Sequence, residues 1–263
     1  MKSNTLVHFV EWKKIPEDQW DPYFRELRQW GVTSIVAHPL WGKLRQQNKN
    51  YIRQMALRLR DAGLVTPACH AFWGPGYDLF CEEESLRRKN MEEHRVFLKE
   101  LTELQVKTYT IHLGSGPDRD KALACYDSIR RSVDDLLPCC EECSIVLAME
   151  NGDDSMETLQ LLADLAESYD SPYAGICFDT GHAHCYTKDW EKALEKLRPR
   201  IATCHMHDNY GAFDDHNPPG EGTLPWEDLI RELKACPAME HAETESGNYG
   251  KESWEKFCTV WNG

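Results

Sequence analysis

The chain has 263 residues and a net charge of −14. That length suits one large α/β barrel or two small domains, and no Pro/Gly/Ser-rich linker divides it, so residues 1–263 read as one domain. The acidic balance argues against a surface made mainly for nucleic acid. The opening MKSNTLVHFVEWKK is too short in apolar residues for a signal peptide and no stretch could span a bilayer, so a cytoplasmic protein with no membrane partner is expected.

Short apolar strands alternate with longer amphipathic segments. The pattern predicts a strand over 5–10, then a helix over 16–30 with Pro16 at its start, where proline is favoured. A strand over 34–37 precedes a helix over 50–62 that Gly63 stops. A third strand covers 64–70, followed by the aromatic and glycine-rich loop AFWGPGYDLF and a charged helix over 83–104. Strand 107–113 and helix 121–141 come next, then strand 144–150 and helix 155–169, with Ser155 placed to cap it. Strand 174–178, helix 189–197 and strand 200–205 form a βαβ unit, whose strands are parallel neighbours with their carboxyl ends on one side. Helix 225–235, strand 240–245 and helix 252–261 complete the chain. Eight strand–helix pairs in this length is the period of a (β/α)8 TIM barrel, an α/β fold. The eleven cysteines are an odd number scattered through strands and helices, which suits reduced thiols. Cys140 and Cys143 form a C-x-x-C with no second ligand pair nearby, so it reads as structural.

In such a barrel the reacting site lies at the carboxyl ends of the strands. Those ends carry His70, His112, Glu150, Asp179, His205 and Glu245 on six consecutive strands. Any one of them could cap a turn or satisfy a rim position; six in succession are hard to obtain by packing alone. The densest stretch runs from Cys177 to Trp226, where CFDTGHAH and CHMHDNYGAFDDHNPPGEGTLPW bring His182, Asp214 and His216 close in sequence to Asp179 and His205. Neutral imidazole and carboxylate are the ligands of zinc, manganese and similar divalent ions. His205 and His207 share a face of their strand, as do His241, Glu243 and Glu245, because side chains alternate.

The motifs HLGSG at His112, AMENGDD at Glu150, FDTGHAH at Asp179, HMHDN at His205, DDH at Asp214 and PGEGTLPW at Pro219 resemble those of the xylose isomerase-like TIM-barrel superfamily. It holds sugar and sugar-phosphate isomerases and epimerases and also endonuclease IV, and the resemblance covers essentially the whole chain. It implies that Glu150, Asp179, His205 and Glu245 match the four-ligand metal site of the ketose epimerases. It also implies that His70, His112, His182, Asp214 and His216 match the further ligands of the three-zinc cluster of endonuclease IV. His205 is preferred to His207 for its H-x-x-D spacing to Asp208, and Glu245 to Glu243 as the residue furthest towards the carboxyl end. The ketose epimerases carry an arginine a few residues after the strand-seven histidine, and this chain reads DNYGAF there.

The chemistry expected of such a site is proton transfer. A divalent ion acidifies the C–H between a carbonyl and a hydroxyl, and Glu150 and Glu245 carry the proton off and back. The preferred expectation is therefore a metal-dependent isomerase or epimerase of a small sugar or sugar phosphate. The alternative is an endonuclease IV-like multinuclear zinc phosphoesterase, and a sugar-binding barrel without turnover is the third reading. Trp41, Trp73 and His207 are the expected substrate contacts. The turns GSG after His112 and GEG at Gly220 could offer backbone N–H groups to a phosphate. GKLRQQNK, with Lys43, Arg45 and Lys49, is the one basic stretch that could face DNA. Oligomeric state has no signature in the chain.

Overall fold

The computed structural model describes residues 5–74, 76–114, 126–152 and 155–263. Eight strands close a parallel barrel in sequence order. They are β1 (Thr5–His8), β2 (Ser34–Ala37), β3 (Val65–His70), β4 (Thr108–His112), β5 (Val146–Glu150), β6 (Ala174–Asp179), β7 (Ile201–Met206) and β8 (His241–Thr244). β8 pairs with β1, with Thr5 opposite His241 and His8 opposite Thr244, so no sheet edge is left open. The helices outside are α1 (Trp20–Gln29), α2 (Pro39–Leu44), α3 (Tyr51–Ala62), α4 (Glu84–Leu101), α5 (Tyr126–Cys143), α6 (Met156–Glu167), α7 (Trp190–Leu197), α8 (Trp226–Lys234) and α9 (Lys251–Asn262). No described helix is long and apolar enough to cross a membrane.

The local signals act as sequence reasoning predicts. Gly63 ends α3 in the left-handed region at φ 73°, where a side chain would be strained. The Ser155 hydroxyl accepts from Thr158 N, and the Asp189 carboxylate from Lys192 N, at the starts of α6 and α7. Two pieces differ. The segment predicted as one helix over 16–30 begins as a 3-10 turn, Glu17–Gln19, before α1. The loop after β2 contains α2, with Pro39 at its first turn and the His38 imidazole accepting from Leu40 N. That turn drives Trp41 inward against Trp12 and Trp20, at ring-centroid separations of 6.0 and 6.5 Å. Each of these fully buried rings contributes roughly 1.5–3 kcal/mol of apolar burial.

β3 leads into the aromatic loop, which is held down by a buried histidine on α4. His94 Nε2 donates to Tyr77 O at 2.8 Å and its Nδ1 accepts from Tyr109 Oη at 2.7 Å, so the neutral ring is fully bonded. Burial lowers its pKa from 6.5 to about 4. The unfolded chain therefore takes up this proton first, and the stability that His94 provides is complete above pH 6.5 and lost as pH falls towards 4. At pH 4 the loss is about 3 kcal/mol. His94→Gln keeps a donor for Tyr77 O but cannot protonate. Urea unfolding at pH 7.5 and pH 4.5 should show a smaller loss on acidification in the variant, and equal losses would contradict a buried neutral His94.

Candidate metal centre

The strand register brings the expected ligands to one end of the barrel. His112 on β4 lies opposite Glu150 on β5, and Asp179 on β6 lies opposite His205 on β7. Ligand atoms of Glu150, Asp179, His205 and Glu245 all fall within 4.8 Å of one another. His205 Nδ1 stands 2.9 Å from Glu150 Oε1 and 2.7 Å from Glu245 Oε2. His70 joins Glu150 and His205 in an overlapping group, and His112 Nε2 is 3.1 Å from Glu150 Oε2. Glu243 lies on the other side of the His205 ring, 3.4 Å from Nε2, and accepts from Thr203 Oγ1. Glu245 is thus the β8-end carboxylate that meets the ligand group.

A second group contains His182, His207, Asp214 and His216. Asp214 Oδ2 is 3.2 Å from His182 Nε2 and 3.0 Å from His216 Nε2. The local chain explains why these side chains converge. The Asp179 carboxylate accepts from His182 N at 2.7 Å, so strand β6 turns at once into a helical turn that swings His182 over the barrel. Asn151 grips the Asp179 backbone on both sides, accepting from its N–H and donating to its C=O. Asp208 folds the long loop after β7: its carboxylate accepts from Asn209 N, Gly220 N, Leu224 N and Trp226 Nε1. His216, at the base of that loop, has φ 52°, a left-handed conformation that non-glycine residues seldom adopt outside sites that need it.

Burial alone would raise the Glu150 pKa and lower that of His205, but charge pairing prevails at both. Glu150 is held well below the usual carboxylate range by His205 and His112, and His205 is pushed well up by Cys177, Glu245 and Glu150. His182 is likewise raised beside Asp179 and Asp214, and His216 rises to about 10 through its bond to Asp214. His70 goes the other way, to about 4, through burial and the neighbouring His112. Positive charge is therefore favoured among these carboxylates, and a divalent cation is one way to supply it. Glu150 Oε2, Asp214 Oδ1 and Glu245 Oε2 are buried without a hydrogen-bond partner, although imidazole nitrogens stand 3.1, 3.6 and 2.7 Å from them. Unpartnered carboxylate oxygens beside neutralisable imidazoles fit a divalent ion, and Glu150, Asp179, His205 and Glu245 would hold it.

Above these groups is a cavity of about 360 Å³. Its floor includes His70, His112, Glu150, His182, Asp214, His216 and Glu245, and its rim Phe9, Lys14, Trp73 and Tyr249. Trp73 is 37% exposed at the mouth, whereas Trp41 is fully buried, so Trp41 is a core side chain rather than a wall of the site. His207 is also fully buried, with Nε2 3.0 Å from Asp179 Oδ1 instead of facing the cavity. The GEG turn is internally committed, since Gly220 N donates to Asp208; residues 115 and 116 of the GSG turn lie outside the described residues. Arg45 of the basic loop is bound to Glu100. Cys140 is buried, and neither it nor Cys143 belongs to a ligand cluster among the described residues. Sequence reasoning missed Asp78, which is buried 3.6 Å from His112 Nδ1, and Asn151. Asn151 directly follows a strand-end glutamate, a position that could have marked it; Asp78 had no such signal.

A closed parallel barrel gathers carboxylates and imidazoles at the carboxyl ends of its strands, in groups that could hold a metal ion. The chain belongs to the xylose isomerase-like TIM-barrel family, whose model matches residues 24–254. It is 32% identical over 112 residues to the uncharacterized protein y4fM of Sinorhizobium fredii, and that match covers 42% of this chain and 36% of the other. The chain spans less than two thirds of the length of the curated relatives it matches. Among solved structures it is similar to a 3-keto-D-glucoside 4-epimerase, YcjR, from E. coli, at TM-score 0.77 and 16% identity, covering 99% of this chain and 100% of that one. It is similar also to an AP endonuclease, family 2, from Brucella melitensis, at TM-score 0.72 and 15% identity, covering 97% and 98%. At such identities these likenesses establish the fold alone.

Proposed function

We propose that the protein is a metal-dependent isomerase or epimerase of a small sugar or sugar phosphate, using zinc or manganese. The observation that carries this reading is the placement of Glu150 and Glu245. Both reach one nitrogen of His205, at 2.9 and 2.7 Å, and both line the same cavity. A bound divalent ion would polarise a carbonyl and its neighbouring hydroxyl. Glu245, the more accessible of the pair at 17% side-chain exposure, is placed to take the proton from the carbon between them. Glu150, almost fully buried, would return it. The cavity volume suits one sugar ring, and Trp73 offers it an aromatic face. Solved relatives by fold include several sugar epimerases.

One observation favours the phosphoesterase reading. The second ligand group adjoins the first, as a site with more than one ion requires. Against it stand the net charge of −14 and a cavity whose lining has Lys14 as its one Lys or Arg among the described residues. The test is a panel of ketoses, aldoses and their phosphates in D2O with metal-reconstituted protein. Isomerised or epimerised product carrying deuterium next to the carbonyl is expected. Cleavage of abasic DNA or a simple phosphodiester, with no sugar turned over, would replace this reading by the other.

A further inference from the structure

The segment that follows β8 carries Glu245, Ser246, Gly247 and Tyr249, all of which line the cavity. We infer that His8, at the end of β1, is a positioning residue for substrate binding, which fixes the Tyr249 wall of the cavity through a hydrogen bond to the Tyr249 carbonyl. The inference rests on the isomerase reading above, because the role it assigns lies in the same cavity.

His8 is buried, and its bonds admit one tautomer. Nε2 lies 2.9 Å from Tyr249 O; a carbonyl only accepts, so Nε2 carries the proton. Nδ1 is left as an acceptor, 3.1 Å from Thr244 Oγ1. That hydroxyl accepts from Phe9 N at 3.0 Å and donates its own proton to the imidazole. Trp254 and Trp30 meet the ring edge-on, at centroid separations of 5.1 and 6.4 Å. Burial lowers the pKa of His8 to about 4, so the ring is neutral at pH 7 and the pattern holds. Phenylalanine would bury a similar ring here with no polar atom to satisfy. What the imidazole adds is a donor that reaches from β1 to Tyr249.

The two halves of the segment are held differently. Glu245 N donates to Met206 O on β7 and Gly247 N to His216 O, so the half that carries the Glu245 carboxylate is tied down without His8. Thr244 likewise keeps its bond from Phe9 N if the imidazole is lost. In the other half, Asn248 N donates to Ser246 Oγ and Gly250 N to Asn248 Oδ1, bonds that stay within the segment. There it is Tyr249 O that reaches the barrel, through His8. The Tyr249 ring stands at the rim, its centroid 5.7 Å from Lys14 Nζ. Loss of the His8 donor therefore loosens a wall against which substrate rests and leaves the proton carrier in place. KM should rise and kcat should be spared.

The test compares His8→Asn with His8→Gln. The asparagine amide ends where Nδ1 lies, so it can keep Thr244 but not Tyr249. The glutamine amide reaches the place of Nε2 and keeps a donor for Tyr249 O. Amide hydrogen exchange at residues 246–250 should quicken by roughly 5–10-fold in His8→Asn, as the loss of one hydrogen bond implies, and stay near wild type in His8→Gln. With whichever ketose or aldose of the panel is turned over fastest, KM should rise by a similar factor in His8→Asn alone, at little change in kcat. Exchange that quickens equally along β1 and α9 would make His8 a support of the whole fold and overturn the proposal, as would the opposite ranking of the two variants. In the wild-type chain, nitrogen NMR of labelled histidine should show the Nε2–H tautomer at His8, and an Nδ1–H tautomer overturns the proposal without any substitution. Should no sugar be turned over, the isomerase reading falls and the binding role of His8 with it; unchanged exchange and KM in His8→Asn of an active enzyme overturn the role of His8 alone.

Discussion

Glu245→Gln should lower turnover by roughly 10²–10⁴-fold while the protein keeps most of its metal. The amide retains an oxygen that can face an ion, so the loss falls on the basic carboxylate that takes up the proton. The separation of the two effects is what matters. If Glu245 acted only by shaping a metal site for phosphodiester hydrolysis, activity and occupancy would fall together. Parallel measurement of kcat, KM and metal content therefore distinguishes a proton carrier from a simple ligand. A full loss of metal in the glutamine variant would remove the argument for its second role.

Asp179→Ala should strip the first site of its metal. Asp179 is wholly buried; besides its place in the first ligand group it accepts from His182 N and approaches His207 Nε2 at 3.0 Å. Truncation thus removes a charged carboxylate, the cap of the turn that carries His182 and the partner of the His207 imidazole. Metal analysis after dialysis should show occupancy falling, since the first ligand group loses a carboxylate and the second loses the contacts that hold His182 and His207 in place. Retention of a full complement of ions in Asp179→Ala would show that the convergence of side chains here is not a metal centre.

The barrel and the cluster of carboxylates and imidazoles at its strand ends were legible because each rests on a short-range rule. Apolar runs mark strands, and the residue that ends a run is the one that faces the mouth; Glu150 and Asp179 are both found this way. Loop side chains follow no such rule. Trp41 looked like a rim aromatic, but Pro39 and the His38 cap start a helical turn there, and the turn faces the ring into the core. His207 shares the strand face of His205, as alternation requires, yet its environment depends on the missing side chain at Gly181, a contact 26 residues earlier in sequence. Asp78 approaches His112 only because the aromatic loop folds back, a path set by the buried His94 that periodicity cannot see.

The mouth of the barrel divides its labour by chain segment. The clustered carboxylates and imidazoles come from β3 to β8 and the loop clamped by Asp208, whereas the outer wall is supplied by Phe9, Lys14, Trp73 and Tyr249, from the segments after β1, β3 and β8. Exchange or lengthening of those outer segments would alter which molecule is admitted without disturbing the bonds that assemble the floor. A barrel arranged in this way can change what its mouth admits over evolutionary time while its floor stands still. Grafting the segment after β1 from a relative of different specificity should accordingly be tolerated far better than any exchange within residues 208–222.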